Sequence, residues 1–335
     1  MSTMRVSWVY CRDKVLGGKP IREAVPRAVR RSLTLKAFHR VVHSLRVFKS
    51  ELSRVRYPAT APVFPRRRRK LGLALGGGFA RAMAHIGVLK VLEEERIPVD
   101  FVAGTSAGAI VGAAYCAGLS PMEMEEMARK ARFRDFARWT LSRYGFCTSD
   151  RMGSFCARVM KLENFEDLKI PLAVTATDFR TGAAVVFTKG SLVDPMRASC
   201  AYPGMFPPVE VNGRYLIDGM LAYAVPTTPL REMGADCVLG VYLSGRTSGW
   251  RGPRHLFDVI GQCFSIAEAK MSGVWKKDAD LVLEPDIDGF AFDCFDRAKG
   301  LIANGEKATR SALPQLRRLL NHPASGNVGF VLQAG

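Results

Sequence analysis

From residue 71 onward, short apolar runs alternate with stretches in which apolar positions recur every third or fourth residue. Leu71–Leu75 is the first run and ends in Gly76-Gly77-Gly78. Helical spacing follows over 81–96, with Ile86, Leu89, Val91 and Leu92 as anchors, and Pro98 closes it. Val99–Ala103 reads as the next strand, with helices over 106–118 and 121–138. Leu172–Thr177 and Ala183–Thr188 read as strands joined through Arg180-Thr181-Gly182, and Tyr215–Ile217 as a short strand before Asp218-Gly219. The rest predicts a helix near 227–233, a strand at Cys237–Leu243, a helix near 255–275, a strand at Leu281–Glu284 and a helix near 295–320. Alternation of this kind implies an α/β fold with a mostly parallel sheet between helix layers.

The N-terminal part has another texture. Over 20–56, Val29, Leu33, Phe38, Val41, Val42, Leu45 and Phe48 recur at helical spacing among Arg30, Arg31, Lys36, Arg40, Arg46 and Lys49. A basic amphipathic helix of this kind serves either an anionic membrane surface or the flank of a folded domain. Pro58, Pro62 and Pro65 break the pattern, and Arg66 to Lys70 follows as a five-charge run that reads as a solvated linker. The expected organisation is a basic extension over 1–70, a catalytic-size domain over 71–320 and a tail over 321–335.

Composition matters mainly through where the charge lies. The chain carries a net charge of +18, yet residues 1–70 hold 19 Lys and Arg against 3 Asp and Glu, and the remainder is close to neutral. A nucleic-acid groove on the main domain is therefore not expected. The 8 cysteines are widely spaced without a CxxC pair, and the 5 histidines form no ligand pair, so neither a disulfide framework nor a metal site is expected. Phe101 to Leu119 is uncharged, but its Gly, Ala, Ser and Thr content reads as a buried strand, turn and helix. With no signal peptide and no spanning segment visible, the expected location is cytoplasmic, at the inner face of a membrane.

The chemistry concentrates at Gly104-Thr105-Ser106-Ala107-Gly108, which has the G-x-S-x-G form between a strand and a small-residue helix. In that context the turn is tight enough to require Gly104 and Gly108, and it lifts the Ser106 hydroxyl to a helix N-terminus as a nucleophile. Gly76-Gly77-Gly78 also joins a strand to a helix. It lacks the G-K-[ST] ending of a phosphate loop, so its backbone N–H groups fit an oxyanion hole better. Arg81 is placed to orient that loop, to meet an anionic group, or simply to sit at a helix start. For a base, His255 and His322 both lack a strand-end setting, whereas Asp218 follows an apolar strand directly. Spacing alone leaves Asp218 as either a base or a turn residue.

Together these motifs resemble the patatin-like phospholipases, in particular the bacterial branch similar to neuropathy target esterase. The resemblance rests on Gly76-Gly77-Gly78-Phe79-Ala80-Arg81, Ala84-His85-Ile86-Gly87-Val88-Leu89, Gly104 to Gly108, the segment Ala198 to Pro208, and Asp218-Gly219, over about residues 71–285. It implies a three-layer α/β/α hydrolase with a mostly parallel central sheet, without metal or cofactor. Ser106 would be the nucleophile, Asp218 the base and Gly76, Gly77 and Gly78 the oxyanion hole, acting on phospholipids or lysophospholipids. Ala82 and Met220 depart from the family's usual small residues. Acyl transfer to another acceptor, or lipid binding by a degenerate loop, are the alternatives. Tyr202, Met205, Phe206, Phe290, Phe292 and Phe295 are either an acyl-chain wall or ordinary core.

Overall fold

The computed structural model describes residues 67–243, 252–253 and 256–321, together with two-residue strands at Val15–Leu16 and Lys19–Pro20 that pair antiparallel. The helix expected over 20–56, both candidate histidines after Ser106 and the tail after 321 lie outside the described residues. Contacts divide the chain into Met1–Arg66 and Arg67–Gly335, and the functional residues belong to the second unit.

Four parallel pairings build one half of the central sheet. Its order runs β10 (Leu281–Leu283), β9 (Cys237–Val241), β1 (Leu71–Leu75), β2 (Phe101–Thr105), β5 (Leu172–Asp178). The other half is antiparallel: β6 (Ala184–Phe187) and β8 (Arg214–Asp218) pair with β5, and β7 (Val209–Val211) pairs with β8. Both faces are covered, which is why the central strands read as continuous apolar runs without alternation. Leu71, Leu73 and Leu75 pack in one cluster with helices α1 (Ala84–Glu94), α2 (Ala107–Cys116) and α9 (Ala298–Asn321). Ala74, Ala103 and Ala173 face the other way, toward α7 (Thr227–Glu232) and Trp275 of α8 (Leu256–Lys276). The residues are small on that face because the covering helix lies close: a Cβ on Gly72 would sit 3.1 Å from Leu230 Cβ of α7.

At the start of the domain, Arg67 to Lys70 are anchored to it, with Arg67 and Arg68 still exposed. Arg68 holds Asp100 through both guanidinium nitrogens at 2.8 and 2.6 Å, Arg67 pairs with Asp236, and Arg69 donates to the carbonyls of Asp236 and Leu319. These cations meet carboxylates and carbonyls at the ends of the sheet and clamp the entry of β1.

The helix expected over 121–138 ends at Lys130 (α3, Pro121–Lys130), where Ala131 turns extended. A short helix α4 (Phe133–Phe136) follows, then a hairpin of β3 (Arg138–Ser142) and β4 (Gly145–Thr148). The turn at Ala131 brings Phe133 against Phe79 and Phe136 against Phe155 and Phe295. Two further helices, α5 (Asp150–Met160) and α6 (Val193–Ser199), have no counterpart in the sequence reading. Among the described residues no helix is long and apolar enough to cross a membrane, and no group of three or more His, Cys, Asp or Glu is placed to hold a metal. The described cysteines are free, and all but Cys263 are buried.

Candidate active site

Register on a single strand brings the two principal residues together. Along β5, the positions up to Thr175 pair with β2, and the positions from Ala176 onward pair with β8. Residues 174–177 also pair with β6, so β2 and β8 must share the opposite edge of β5. They meet there end to end: Thr105 opposes Thr175 and Asp218 opposes Ala176. Ser106 and Asp218 are thus adjacent because two strands end at neighbouring positions of a third.

Ser106 Oγ donates to Asp218 Oδ2 at 2.7 Å, and both residues are buried. Ser106 has φ 53° and ψ −129°, a left-handed conformation that destabilises a non-glycine residue by about 1–3 kcal/mol. Three contacts hold it. Ser106 N–H donates to Ser199 Oγ at 2.8 Å. A Cβ on Gly104 would lie 2.4 Å from Ala109 Cα, and one on Gly108 would lie 2.4 Å from Leu75 O, so backbone crosses backbone on both sides of the serine. Ser199 sits at the end of α6, fully buried, inside a segment quoted for its family likeness but given no role by the sequence reading. Replacing it by alanine would strand the buried Ser106 N–H. A loss of about 1–3 kcal/mol in urea unfolding, together with lower turnover, is expected. A Ser199→Ala protein unchanged in both would show that the elbow stands without it.

Asp218 is oriented from three sides. Its Oδ1 accepts Met220 N–H at 3.0 Å, its own N–H donates to Ala201 O, and its carbonyl accepts Thr177 Oγ1–H at 2.8 Å. Burial pushes its pKa up to about 7, against the opposing pull of the Met220 N–H and the Ser106 hydroxyl. The carboxylate is consequently far more basic than an exposed aspartate.

The glycine loop is narrower as a donor set than the sequence suggests. Gly76 N–H donates to Val241 O at 3.0 Å and Gly77 N–H to Ala224 O at 3.3 Å, so these two of the three expected donors are engaged in holding the loop. Among the described residues, the N–H groups of Gly78 and Ala107 meet no acceptor; both are at helix starts, where such groups lack intrahelical partners. His85 fixes the loop from below: its Nε2–H donates to Gly76 O at 2.8 Å, and burial drives its pKa down to about 4, leaving the ring neutral. Met220 covers Gly77 so closely that a Cβ there would lie 2.4 Å from its Sδ. Among the described residues the side chain of Arg81 makes only a long contact from Nε to Gly78 O, 3.5 Å, and burial lowers its pKa.

Ser106, Gly78, Ala107 and Arg81 open on a cavity of about 910 Å³. Its walls are mostly apolar and include Phe136, Phe155, Tyr202, Met205, Phe206, Phe290, Phe292 and Phe295, so the aromatic residues left between pocket and core do line the pocket. Glu268 of α8 lies there too, buried, and no motif announced it.

Residues 73–231 match the family model for patatin-like phospholipase. An uncharacterized NTE family protein of Mycobacterium tuberculosis is 34% identical over 183 residues, covering 54% of this chain and 51% of that protein. The human patatin-like phospholipase domain-containing protein 6 is 34% identical over 179 residues, 51% of this chain and 13% of that protein. The lysophospholipase NTE1 of Mycosarcoma maydis is 30% identical over 230 residues, 64% of this chain and 12% of that one. The chain spans about half the length of the mycobacterial relatives and a small part of the others. Among solved structures, VipD from Legionella pneumophila superposes with a TM-score of 0.44 at 12% identity, over 74% of this chain and 67% of VipD.

Proposed function

Residues 73–231 match the patatin-like phospholipase family model, and on that premise we propose that the chain is a serine-dependent acyl hydrolase of phospholipids or lysophospholipids, working through a Ser106–Asp218 dyad. The observation that carries the reading is the 2.7 Å hydrogen bond from a strained, buried serine to a buried carboxylate at the wall of an apolar cavity.

Ser106 Oγ attacks the ester carbonyl carbon as its proton passes to Asp218 Oδ2. The carbonyl oxygen becomes the oxyanion and takes the N–H groups of Gly78 and Ala107, with the positive end of α2 behind them. The C–O bond to the alcohol then breaks, and the proton held on Asp218 goes to the leaving oxygen. Water attacks the acyl-enzyme, gives its proton to Asp218, and the fatty acid leaves as Ser106 recovers its proton. The aromatic walls hold the acyl chain. Neither step requires a metal or an oxidant.

A fluorophosphonate probe reads this chemistry directly. Incubated with wild-type protein and lipid vesicles, it is expected to leave one adduct, mapped by peptide mass spectrometry to Ser106. A folded wild type that takes no label with vesicles present, or labels elsewhere, would overturn the dyad.

A further inference from the structure

Helix α8 presents polar side chains to the cavity: Gln262, Ser265 and Glu268 line it beside the apolar Phe264 and Ile266. Glu268 is the most enclosed of these, 8% exposed, and its Oε1 has no hydrogen-bond partner among the described residues. Among the described residues no ion pair relieves it: Arg81 and Asp218 both act on it electrostatically, Arg81 favouring its charge and Asp218 opposing it, but neither bonds to it. A buried acceptor left unmade destabilises a fold, so one retained in the wall of a cavity marks a place that a ligand completes.

Resting on the hydrolase reading, we propose that Glu268 is a specificity residue that hydrogen-bonds a free hydroxyl on the alcohol side of the ester. The site then prefers glycerol monoesters with an unesterified neighbouring hydroxyl to lipids that lack one. A hydroxyl suits this carboxyl better than a lipid ammonium does. Arg81 shares the cavity and repels a cation, while its guanidinium is available to a phosphate on the same glycerol. Burial and the neighbouring Asp218 push the pKa of Glu268 to about 7. Near neutrality the group is part ionised and part protonated, and it can pair with a hydroxyl in either form, whereas an ammonium needs the ionised form only. A diacyl lipid presents at the same point an ester oxygen, which can only accept and so pairs with the protonated form alone.

Binding of uncleavable ether lipids to the full-length protein tests this apart from catalysis. The probes are short-chain 1-O-alkylglycerol-3-phosphoglycerol and its 2-deoxy counterpart, below their micelle concentrations, and the same pair without phosphate. Wild type is expected to bind the hydroxyl lipid about tenfold more tightly than the 2-deoxy lipid. Glu268→Leu should bind both alike with its melting transition intact, and Glu268→Gln, whose amide still hydrogen-bonds, should keep part of the preference. Glu268→Ala substitutes for the leucine variant should that one unfold. The same preference in the phosphate-free pair assigns the hydroxyl of any monoacylglycerol; a preference confined to the phosphate pair assigns lysophospholipids. Equal binding by wild type overturns the proposal, as does a preference that survives loss of the carboxyl. Failure of the hydrolase reading would appear separately, as a wild type without a fluorophosphonate adduct.

Discussion

Asp218→Asn is expected to lower kcat/KM for a lipid ester by about 10³–10⁴-fold, with Ser106→Ala falling at least as far and the double variant no further. In the proposed mechanism the two side chains act as one unit through the 2.7 Å bond, so removing either would leave only what the Gly78 and Ala107 donors and the apolar cavity supply. Asparagine keeps the shape and still accepts Met220 N–H, but it cannot take the serine's proton. Activity of the single variants that multiplies in the double would mean that the residues act separately. The pH profile follows from the same burial. Only ionised Asp218 serves as base, so wild-type kcat/KM should rise about tenfold per pH unit up to about 7 and level off above it. Because Glu268 titrates in the same range and the two repel, the apparent values belong to the pair.

Stability should run the other way. Unfolded aspartate titrates near 3.9, while folded Asp218 titrates at about 7, so between these values the folded state binds the extra proton. That contribution is fully present below about pH 4 and is lost as pH rises to about 7. At roughly 1.4 kcal/mol per pH unit, about 4 kcal/mol is at stake at most. Asp218→Asn carries no such charge, and its melting temperature should therefore gain on wild type as pH rises through that window. A constant difference across pH 4 to 7 would show that Asp218 is solvated. The dyad holds a basic carboxylate at the expense of the fold that buries it.

The parts of the site that could be read from sequence are those fixed by backbone geometry. The tight strand-to-helix turn at Ser106 demands glycine where Gly104 and Gly108 stand, because Ala109 and Leu75 occupy the space of a side chain. A motif in residue types records that demand. Asp218 was visible as a strand-end carboxylate, but its pairing with Ser106 depends on two strands meeting at Thr175 and Ala176, and register of that kind leaves no local trace. The donor capacity of the glycine loop was misjudged for the same reason: Gly76 and Gly77 give their N–H groups to Val241 and Ala224, which lie far along the chain. Glu268 was hidden by a sound rule applied where it fails. The polar stripe of an amphipathic helix normally faces water, yet on α8 Gln262 and Glu268 line the cavity while Leu256, Val259 and Val274 are exposed. The hairpin at 138–148 was lost because helical spacing runs on through Phe133 and Phe136, whose turn is set by contacts with Phe79 and Phe295.

Gly305→Ala is expected to destabilise the domain by about 2 kcal/mol or more, although alanine is the better helix former by about 1 kcal/mol. Helices α1 and α9 cross where neither has a side chain. A Cβ on Gly305 would lie 1.9 Å from Ala84 O, and one on Gly87 would lie 2.0 Å from Ile302 O. Backbone carbonyls cannot swing aside as a flexible side chain does, so the helices must separate. Lys90–Glu306 and Arg310–Glu94 bridge the same pair of helices, with Arg317–Glu95 at the cap of α1, and resist that movement. Gly273→Ala on α8 is the matched control: nothing lies within 4 Å of its added Cβ, so helix propensity alone should leave it neutral or stabilised by up to about 1 kcal/mol. Urea midpoints at equal slope should therefore move in opposite directions for the two variants. The crossing also reaches the site, because Ala84 precedes His85, whose ring holds Gly76 O. A displaced α1 carries the glycine loop with it, and the folded fraction of Gly305→Ala should show reduced kcat as well as reduced stability. A Gly305→Ala protein as stable and as active as Gly273→Ala would mean that the helices separate without effort, and that the glycine loop is positioned by the sheet alone.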